Sequence, residues 1–238
     1  MYKYRPINEF TKRLIIQGEL YFSKFSEQND PNEAIFDYPS ETDILIEQHE
    51  LDLFPNFIKK KDSPDGRIHL KVSGRTAAKH VRRRIDSMYG ILCLTKDPRN
   101  LLMFDYYGGG HKGICIGLEW KKLGLIYRGS NKHQLPRQVH YGTTPPLMRS
   151  GYDFDKVLYS KWIKYRHEKE FRMIFTPGIY TSPVNVLTAI KQIIFGVAIS
   201  EENRELVRSW VNNNSLKVEF YQSKLKNNSY ELDLINIT

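Results

Sequence analysis

The chain has 238 residues and a formal net charge of +9, with 40% hydrophobic and 13% aromatic residues. This length can bury a substantial core, and the composition is that of a globular protein without a long disordered tract. No stretch approaches the ~20 apolar residues of a membrane span. The opening "MYKYRPINEF" lacks the apolar core of a signal peptide, so we expect a cytoplasmic protein with no membrane partner.

In the first half of the chain, capping residues and turn formers separate short strands from helices. "YKYR" is a predicted strand ended by Pro6, and "NEFTKRLIIQG" a predicted helix that Asn8 caps and Gly18 ends. "ELYFSKF" is a second predicted strand, followed by the polar turn "SEQNDPNEA". Residues 40–88 are expected to form a mainly helical, basic insertion, with helices around "ETDILIEQHELDLF" and "SGRTAAKHVRRRIDSMYG".

The second half of the chain is predicted to be dominated by strands. Apolar runs predict buried strands at "GILCLT", "GICIGLEW" and "IKQIIFGVAI", and "QVHYG" is a further predicted strand. Helices are predicted at "YDFDKVLYSKWIKY" and "SEENRELVRSWVNNN", before a closing hairpin around "KNNS". The pattern predicts a single α+β domain over residues 1–238 with a mixed or antiparallel sheet.

Cysteine and histidine spacing gives no sign of a metal site. Cys93 and Cys115 lie in apolar runs without a CxxC pattern, which predicts buried, reduced thiols. The histidines show no ligand spacing with cysteines or acids. We therefore expect no metal cofactor.

Two glutamates precede the alternating apolar run in "EKEFRMIF". Side chains at i and i+2 of a strand point to the same side, so Glu168 and Glu170 are expected to share one strand face. Two carboxylates in this arrangement can divide acid–base work between them. Alternatively, they form a charge ladder with Arg166 and Arg172 that stabilises the sheet. The residues alone leave both interpretations open.

Residues 56–84 carry almost all of the charge imbalance, with ten Lys or Arg and two Asp, a net of +8. Clustered positive charge attracts polyanions and indicates nucleic-acid binding. There are two alternative interpretations of this basic segment. It is a solvated helix face with a charged loop, or it is a site for an acidic partner protein. The candidate nucleic-acid-binding residues are Arg75, Lys79, Arg82, Arg83 and Arg84.

Several patterns, taken together and in chain order, resemble an uncharacterised bacterial protein family that is widespread in prokaryotic genomes. They are "YKYR…GELYFS…NDP", "GILCLT", "NLLMFDYYGGGHKGICIG" and "EKEFR", and they extend from Tyr2 to about Gly196. The "FDYY" of this chain, which begins at Phe104, stands where that family usually has Trp–Ser–His–Tyr.

The same layout is similar to ADP-ribosyltransferases, especially the DarT-type DNA-modifying toxins. Those enzymes begin with a short strand that carries a cofactor-binding residue, and they carry a catalytic glutamate on a late strand. Arg5 stands where the toxins have a His, and other transferases of this fold use Arg there. The resemblance implies an ADP-ribosyltransferase-like fold, NAD as co-substrate, Glu170 as the catalytic carboxylate and Glu168 as the group that takes a proton from the acceptor. The residues expected to contact NAD are Arg5, Tyr21, Ser23, Asn29, Tyr107 and His111.

Structural alternatives exist for several of these residues. Arg5 can cap a sheet edge instead of binding a pyrophosphate or ribose. Asn29 lies in a polar turn, and Tyr21 is placed either for stacking on nicotinamide or for an ordinary strand. "YYGGGHKG" has neither the Walker ending nor the spaced glycines of a dinucleotide fingerprint, so a flexible turn that includes His111 is favoured over a phosphate loop.

The leading expectation is an NAD-dependent ADP-ribosyltransferase that modifies nucleic acid, DNA or RNA, as a toxin or phage-defence effector. An antitoxin or immunity protein is then a further expected partner. One alternative keeps the fold but makes the enzyme an NAD glycohydrolase that depletes NAD. The other alternative is a non-catalytic module that binds nucleic acid or a partner protein.

Overall fold

The computed structural model describes residues 1–53, 58–128, 135–149, 153–175, 184–214 and 216–238. Contacts group the chain into two compact units, where the sequence predicted one domain with an insertion. The first, here called the sheet unit, comprises Met1–Ser23, Tyr89–Val139 and Lys164–Thr238. The second, here called the insert unit, comprises Lys24–Met88 and His140–Ile163.

The elements are numbered in chain order. The strands are β1 (Tyr2–Arg5), β2 (Glu19–Leu20), β3 (Glu41–Ile46), β4 (Ile58–Asp62), β5 (Ile68–Ser73), β6 (Gly90–Thr95), β7 (Ile114–Leu118), β8 (Arg137–Gln138), β9 (His140–Gly142), β10 (Ser160–Trp162), β11 (Glu170–Phe175), β12 (Val184–Asn185), β13 (Ile190–Phe195), β14 (Glu219–Leu225) and β15 (Leu232–Asn236). The α-helices are α1 (Glu9–Gln17), α2 (Gly74–Met88), α3 (Leu101–Tyr106), α4 (Trp120–Arg128), α5 (Phe154–Leu158) and α6 (Glu201–Asn212). Short 3₁₀ helices cover Phe25–Glu27, Gln48–Leu53, Ile163–Glu168 and Leu187–Ala189.

The sheet unit is built on an eight-stranded sheet with the order β15-β14-β13-β7-β1-β6-β11-β8. All neighbouring strands are antiparallel except β13 and β14, which are parallel and are connected through α6. The structure therefore confirms an α+β protein with a large, mostly antiparallel sheet. The short strand β1 lies in the middle of this sheet, between β7 and β6.

Sequence capping signals account for the helices that flank this sheet. Asn8 accepts a hydrogen bond from Thr11 N at the start of α1, and Gly18 ends the helix with φ 73°. Ser200 caps α6 in the same way, through Asn203 N. Both helices were predicted, and their buried residues join the main core.

Apolar side chains cover both faces of the large sheet. The main core includes Leu92, Ile116, Met173 and Ile193 together with apolar residues of α1 and α6. A smaller cluster joins Tyr4, Cys115 and Ile194 to Phe104 of α3. Tyr4 and Ile194 both pair with Cys115 across strands, which places these three side chains on one face.

The insert unit corrects the prediction for residues 40–88, which are not mainly helical. They contain the antiparallel sheet β3-β5-β4, and α2 is their one α-helix among the described residues. "IHLKVS" alternates buried Ile68, Leu70 and Val72 with exposed or half-buried neighbours, the period-2 pattern of a strand. β3 runs through the first half of the predicted helix "ETDILIEQHELDLF", where Ile44 and Ile46 are buried.

Three other segments also differ from the sequence prediction. The strand expected over "ELYFSKF" is only β2, with a single further bridge from Ser23 to Ile91. "QVHYG" is divided between β8 and β9. The helix expected over "YDFDKVLYSKWIKY" ends at Leu158, and β10 follows, paired in parallel with β9.

Candidate functional site

The two glutamates lie at a junction rather than on one strand. Glu168 is the last residue of the 3₁₀ helix Ile163–Glu168, and Glu170 is the first residue of β11. Between them Lys169 has φ 45°, a left-handed conformation that turns the chain sharply. The expectation that both carboxylates share one strand face is therefore wrong. Both side chains are buried, at 3% and 2% exposure, and of the alternative charge ladder the structure contains the pairing of Glu170 with Arg172.

Arg172 fixes the carboxylate of Glu170. Its Nε donates to Oε1 of Glu170 at 2.7 Å and its Nη2 donates to Oε2 at 3.3 Å. The Arg172 side chain is completely buried. Two hydrogen bonds of this kind set the orientation of both carboxylate oxygens.

Glu168 is held by a different kind of partner. The hydroxyl of Tyr107, at the C-terminal end of α3, donates to Oε1 of Glu168 at 2.7 Å. These two residues are 61 positions apart in the chain, and the sequence predicted both as site residues. The structure therefore brings together a predicted acid–base group and a predicted NAD ligand.

The loop between β6 and α3 clamps the segment that carries both glutamates. Asn100 Nδ2 donates to the carbonyl of His167, and Lys169 Nζ lies 2.8 Å from Oδ2 of Asp97. The Tyr4 hydroxyl donates to the carbonyl of Asp97 at 2.7 Å. The position of the two carboxylates therefore depends on β1, on this loop and on α3 together.

The pairing of the large sheet opens between β1 and β6. β1 pairs with β7 at all four of its residues but with β6 only at Tyr2 and Thr95. At the other end of β6, Ile91 exchanges backbone hydrogen bonds of 3.1 and 2.8 Å with Ser23. Between these points the ammonium of Lys3 donates to the Cys93 carbonyl at 3.0 Å. Here the side chain of Lys3 takes the place of the backbone hydrogen bonds that would otherwise join β1 to β6.

Two basic side chains of β1 are desolvated in this region. Burial, together with the charge of Arg5, lowers the pKa of Lys3 to about 8, and the charges of Cys93 and Glu170 oppose the shift. Burial also lowers the pKa of Arg5. Arg5 Nε is buried without a hydrogen-bond partner, and its guanidinium makes no ion pair with the described residues. A desolvated cation of this kind is stabilised when an anion binds beside it.

The glycine-rich turn after α3 has a structural role. Its amides are occupied by backbone carbonyls: His111 N donates to Phe104 O at 3.1 Å, and Gly113 N donates to Gly108 O at 2.7 Å. A Cβ on Gly113 would lie 2.3 Å from the carbonyl oxygen of Arg5, so the turn packs tightly against the end of β1. Because these amides are used, the turn does not offer the free N–H groups of a phosphate loop.

The remaining predicted NAD ligands have separate surroundings. The His111 ring stacks on Phe104 with 6.2 Å between ring centroids, and its Nδ1 is buried without a partner. Tyr21 is exposed, and Ser23 Oγ donates to Ile91 O at 3.4 Å beside β6. Asn29 is exposed and belongs to the insert unit, unlike the other five.

Sequence reasoning missed Lys3 and Arg172 as site residues, although a signal existed for each. Lys3 precedes Arg5 by two positions and Arg172 follows Glu170 by two, so the i, i+2 rule placed each beside a predicted residue. Asp97 and Asn100 gave no comparable signal, since their contacts arise only from the path of the loop after β6.

Three of the five basic residues predicted on α2 form one exposed stripe. Arg75, Lys79 and Arg83 are spaced four residues apart, are exposed, and make no hydrogen bond or ion pair with the described residues. Arg82 and Arg84 instead make structural contacts. Arg82 Nη2 donates to the carbonyl of Glu33 at 3.1 Å, and Arg84 Nη1 lies 3.9 Å from Glu50.

No family model, no curated protein and no solved structure matches the chain. Among the described residues, no group of three or more His, Cys, Asp or Glu side chains is placed to hold a metal ion. Across the same residues, no helix combines the length and apolar character needed to cross a membrane.

Proposed function

We propose that the chain is an NAD-dependent ADP-ribosyltransferase that modifies nucleic acid. The observation that carries the proposal is the guanidinium of Arg5 on β1. It is desolvated, and its buried Nε has no hydrogen-bond partner. Only β6 separates β1 from β11, which begins with the fixed carboxylate of Glu170. Cleavage of NAD requires an anion-binding group and an oriented carboxylate, and the sheet unit carries a candidate for each in Arg5 and Glu170.

Arg5 and Lys3 supply the positive charge that the diphosphate of NAD needs. The planar guanidinium can donate two parallel hydrogen bonds to phosphate oxygens. Lys3, whose ammonium occupies the opening between β1 and β6, adds a second positive charge near Arg5. Binding of the diphosphate would remove the desolvation cost that Arg5 bears in the free protein.

Glu170 supplies the charge that favours bond cleavage. When the bond between the nicotinamide nitrogen and the ribose C1′ breaks, its electron pair leaves with nicotinamide and positive charge develops on the sugar. A carboxylate that faces this charge stabilises the transition state more than the ground state. Arg172 holds both oxygens of Glu170 in place, so little reorganisation accompanies the reaction.

Glu168 completes the transfer by accepting a proton. The acceptor nucleophile forms a new bond to C1′ and loses its proton to the carboxylate of Glu168. The Tyr107 hydroxyl donates to Oε1 of Glu168, and this bond orients the carboxylate. Lys169, in its left-handed conformation, sets the separation between Glu168 and Glu170.

The exposed stripe of Arg75, Lys79 and Arg83 supports a nucleic-acid acceptor. Unpaired basic side chains at a constant spacing attract phosphates and release their counterions. The role as a toxin or phage-defence effector, with an antitoxin or immunity protein as partner, rests on the resemblance to DarT-type toxins.

One observation favours the alternative of an NAD glycohydrolase. Glu168 is only 3% exposed and already accepts a hydrogen bond from Tyr107. A carboxylate this enclosed is reached more easily by water than by a large acceptor. In that case Arg5, Lys3 and Glu170 act on NAD as described above, and water replaces the nucleic acid as the nucleophile that attacks C1′.

Incubation with NAD labelled in its adenylate portion, together with DNA, RNA or protein, tests the proposal. Nicotinamide release with label on nucleic acid is expected, and Glu170→Gln should reduce release about 10²–10³-fold, because it removes the charge that faces the sugar. Release without labelled acceptor would establish the glycohydrolase instead. Absence of release from any mixture, with retained nucleic-acid binding, would leave the non-catalytic module.

A further inference from the structure

The insert unit contains a cavity of about 340 Å³ that the proposed NAD chemistry does not use. Its walls come from the segment that includes Asn32 and Ile35, from β9 with the turn that follows it, and from β10. This volume lies near the lower end of about 300–1,000 Å³ for small-molecule sites. The cavity therefore suits a single ring system with small substituents.

Aromatic and apolar side chains that remain accessible line the cavity. Trp162 is 45% exposed and Ile35 is also exposed, although both are large apolar residues. Tyr141, Pro145 and Pro146 complete the apolar part of the lining. An indole face and a phenol ring favour a planar partner, because flat rings stack on them with little loss of side-chain entropy.

The polar part of the lining offers both hydrogen-bond donors and acceptors. Asn32, Thr143, Thr144 and Ser160 contribute an amide and hydroxyl groups. His140 and Lys161 also line the cavity, and the ammonium of Lys161 lies 3.7 Å from the carboxylate of Glu33, with both side chains nearly fully buried. Because Glu33 balances this charge, the interior favours an uncharged ring with a hydrogen-bonding edge over a phosphate or a carboxylate.

Contacts within the insert unit connect this cavity to the basic helix. Arg82 of α2 donates to the carbonyl of Glu33, the same residue whose carboxylate pairs with Lys161 in the lining. Glu33 lies between Asn32 and Ile35, which both line the cavity. The cavity and the exposed stripe of Arg75, Lys79 and Arg83 are thus parts of the same unit, so a ring with attached phosphates would bind to the unit that carries this positive charge.

We propose that this cavity binds the ring of a nucleobase, stacked on Trp162 and read at its edge by the amide and hydroxyl groups of the lining. The base can come from a free nucleoside or nucleotide, or from an unpaired position of a nucleic-acid strand. The inference extends beyond the proposed function, because binding at this cavity requires neither NAD nor the glutamates.

Calorimetric titration of the full chain without NAD tests the proposal. The probes are adenosine, guanosine, cytidine and uridine, their monophosphates, and single-stranded and double-stranded oligonucleotides. We expect binding that Trp162→Ala weakens roughly 5- to 150-fold, the effect of losing one stacked base. Trp162→Phe, which keeps an aromatic face, should retain most of the affinity. Tyr230→Ala is the matched control, since Tyr230 is 96% exposed and lies in the sheet unit.

The different probes distinguish a free ligand from a base within a strand, and the results also separate this cavity from the proposed NAD site. Binding of nucleosides identifies a free ligand, whereas binding of single strands alone identifies a base within a strand. Binding that Trp162→Ala weakens belongs to the insert unit and not to the proposed NAD site, because Arg5 and Glu170 lie in the sheet unit. No binding of any probe, or binding that Trp162→Ala and Tyr230→Ala weaken equally, would overturn the proposal. Equal thermal melting of the Trp162 variants and wild type would exclude unfolding as the cause.

Discussion

Strands β1 and β11 each carry a desolvated arginine, and the two arginines differ in whether an anion lies beside them. Arg172 of β11 is completely buried and is matched by the carboxylate of Glu170 at 2.7 Å. Arg5 of β1 has a buried Nε and no partner among the described residues. The charge of Arg172 is compensated within the protein, whereas the charge of Arg5 has no protein anion beside it among the described residues. The comparison shows Glu170 as a group held in place by Arg172, and it makes Arg5 the residue on which the proposed anion binding can be tested.

Replacing Arg172 should have the largest effect. Arg172→Met keeps the length and apolar bulk of the side chain but leaves the Glu170 carboxylate buried without its arginine. We expect the free energy of unfolding to fall by about 3–5 kcal/mol, measured by urea denaturation. The double variant Glu170→Gln/Arg172→Met removes both charges and should regain much of this loss while remaining inactive. A single variant that loses less than about 1 kcal/mol would contradict a matched buried pair.

Replacing Arg5 should produce the reverse pattern. Arg5→Met removes a charge without a partner, so the free energy of unfolding should stay the same or rise. The Michaelis constant for NAD should increase roughly 10- to 150-fold, because about 1.5–3 kcal/mol of charged hydrogen bonding to the ligand is lost. Arg149→Met, at an exposed position of the insert unit, is the control. An unfolded Arg5 variant, or one with an unchanged Michaelis constant, would make Arg5 a structural residue.

The exposed stripe on α2, in the insert unit, is a second place where basic side chains have no protein anion beside them among the described residues, but here they are exposed to solvent. The double variant Lys79→Ala/Arg83→Ala should weaken the salt dependence of nucleic-acid affinity. Each phosphate contact contributes about 0.9 to the slope of log K against log salt, so the loss of two contacts should reduce the magnitude of the slope by about 1.8. Lys121→Ala with Lys224→Ala removes the same charge from exposed positions of the sheet unit and should leave the slope nearly unchanged. Equal slopes for the two double variants would exclude the stripe from binding.

The smallest expected effect is a pH dependence from Lys3. Burial lowers its pKa from 10.5 to about 8, so between these pH values the unfolded chain holds a proton that the folded chain has released. The free energy of unfolding should therefore rise with pH across this interval, relative to the variant Lys3→Met. The rise should be modest because the side chain is partly exposed. Parallel curves for the two proteins, from urea denaturation across the interval, would mean that Lys3 is not desolvated.

Local signals in the sequence predicted the elements of the large sheet well. Asn8 and Gly18 mark the ends of α1, and apolar runs mark β6, β7 and β13. The prediction failed at residues 40–88, because Ile44 and Ile46 suit a helix face as well as a strand when read over a short window. Only pairing with β5, a long-range contact, decides between the two.

The candidate site was predicted residue by residue but not as an arrangement. Tyr107 and Glu168, which were both candidate residues, are hydrogen-bonded to each other, whereas the strand face that Glu168 and Glu170 were expected to share does not exist. The left-handed backbone of Lys169 breaks that strand, and no propensity rule assigns such a conformation to a lysine. The i, i+2 spacing indicates Arg172 as a neighbour of Glu170, whereas the Tyr107 hydroxyl reaches Glu168 only through tertiary packing.

The central position of β1 has a kinetic consequence. The ammonium of Lys3 meets a carbonyl 90 positions away, and Tyr107 meets Glu168 across 61 positions. Sheets closed by contacts of such long range form slowly, because much of the chain must be ordered before the pairing contributes stability. No short fragment contains Arg5, Tyr107 and Glu170 together, so a growing chain on the ribosome has no assembled site. An activity that consumes NAD would therefore stay silent during synthesis and begin only after β1 has joined the completed sheet.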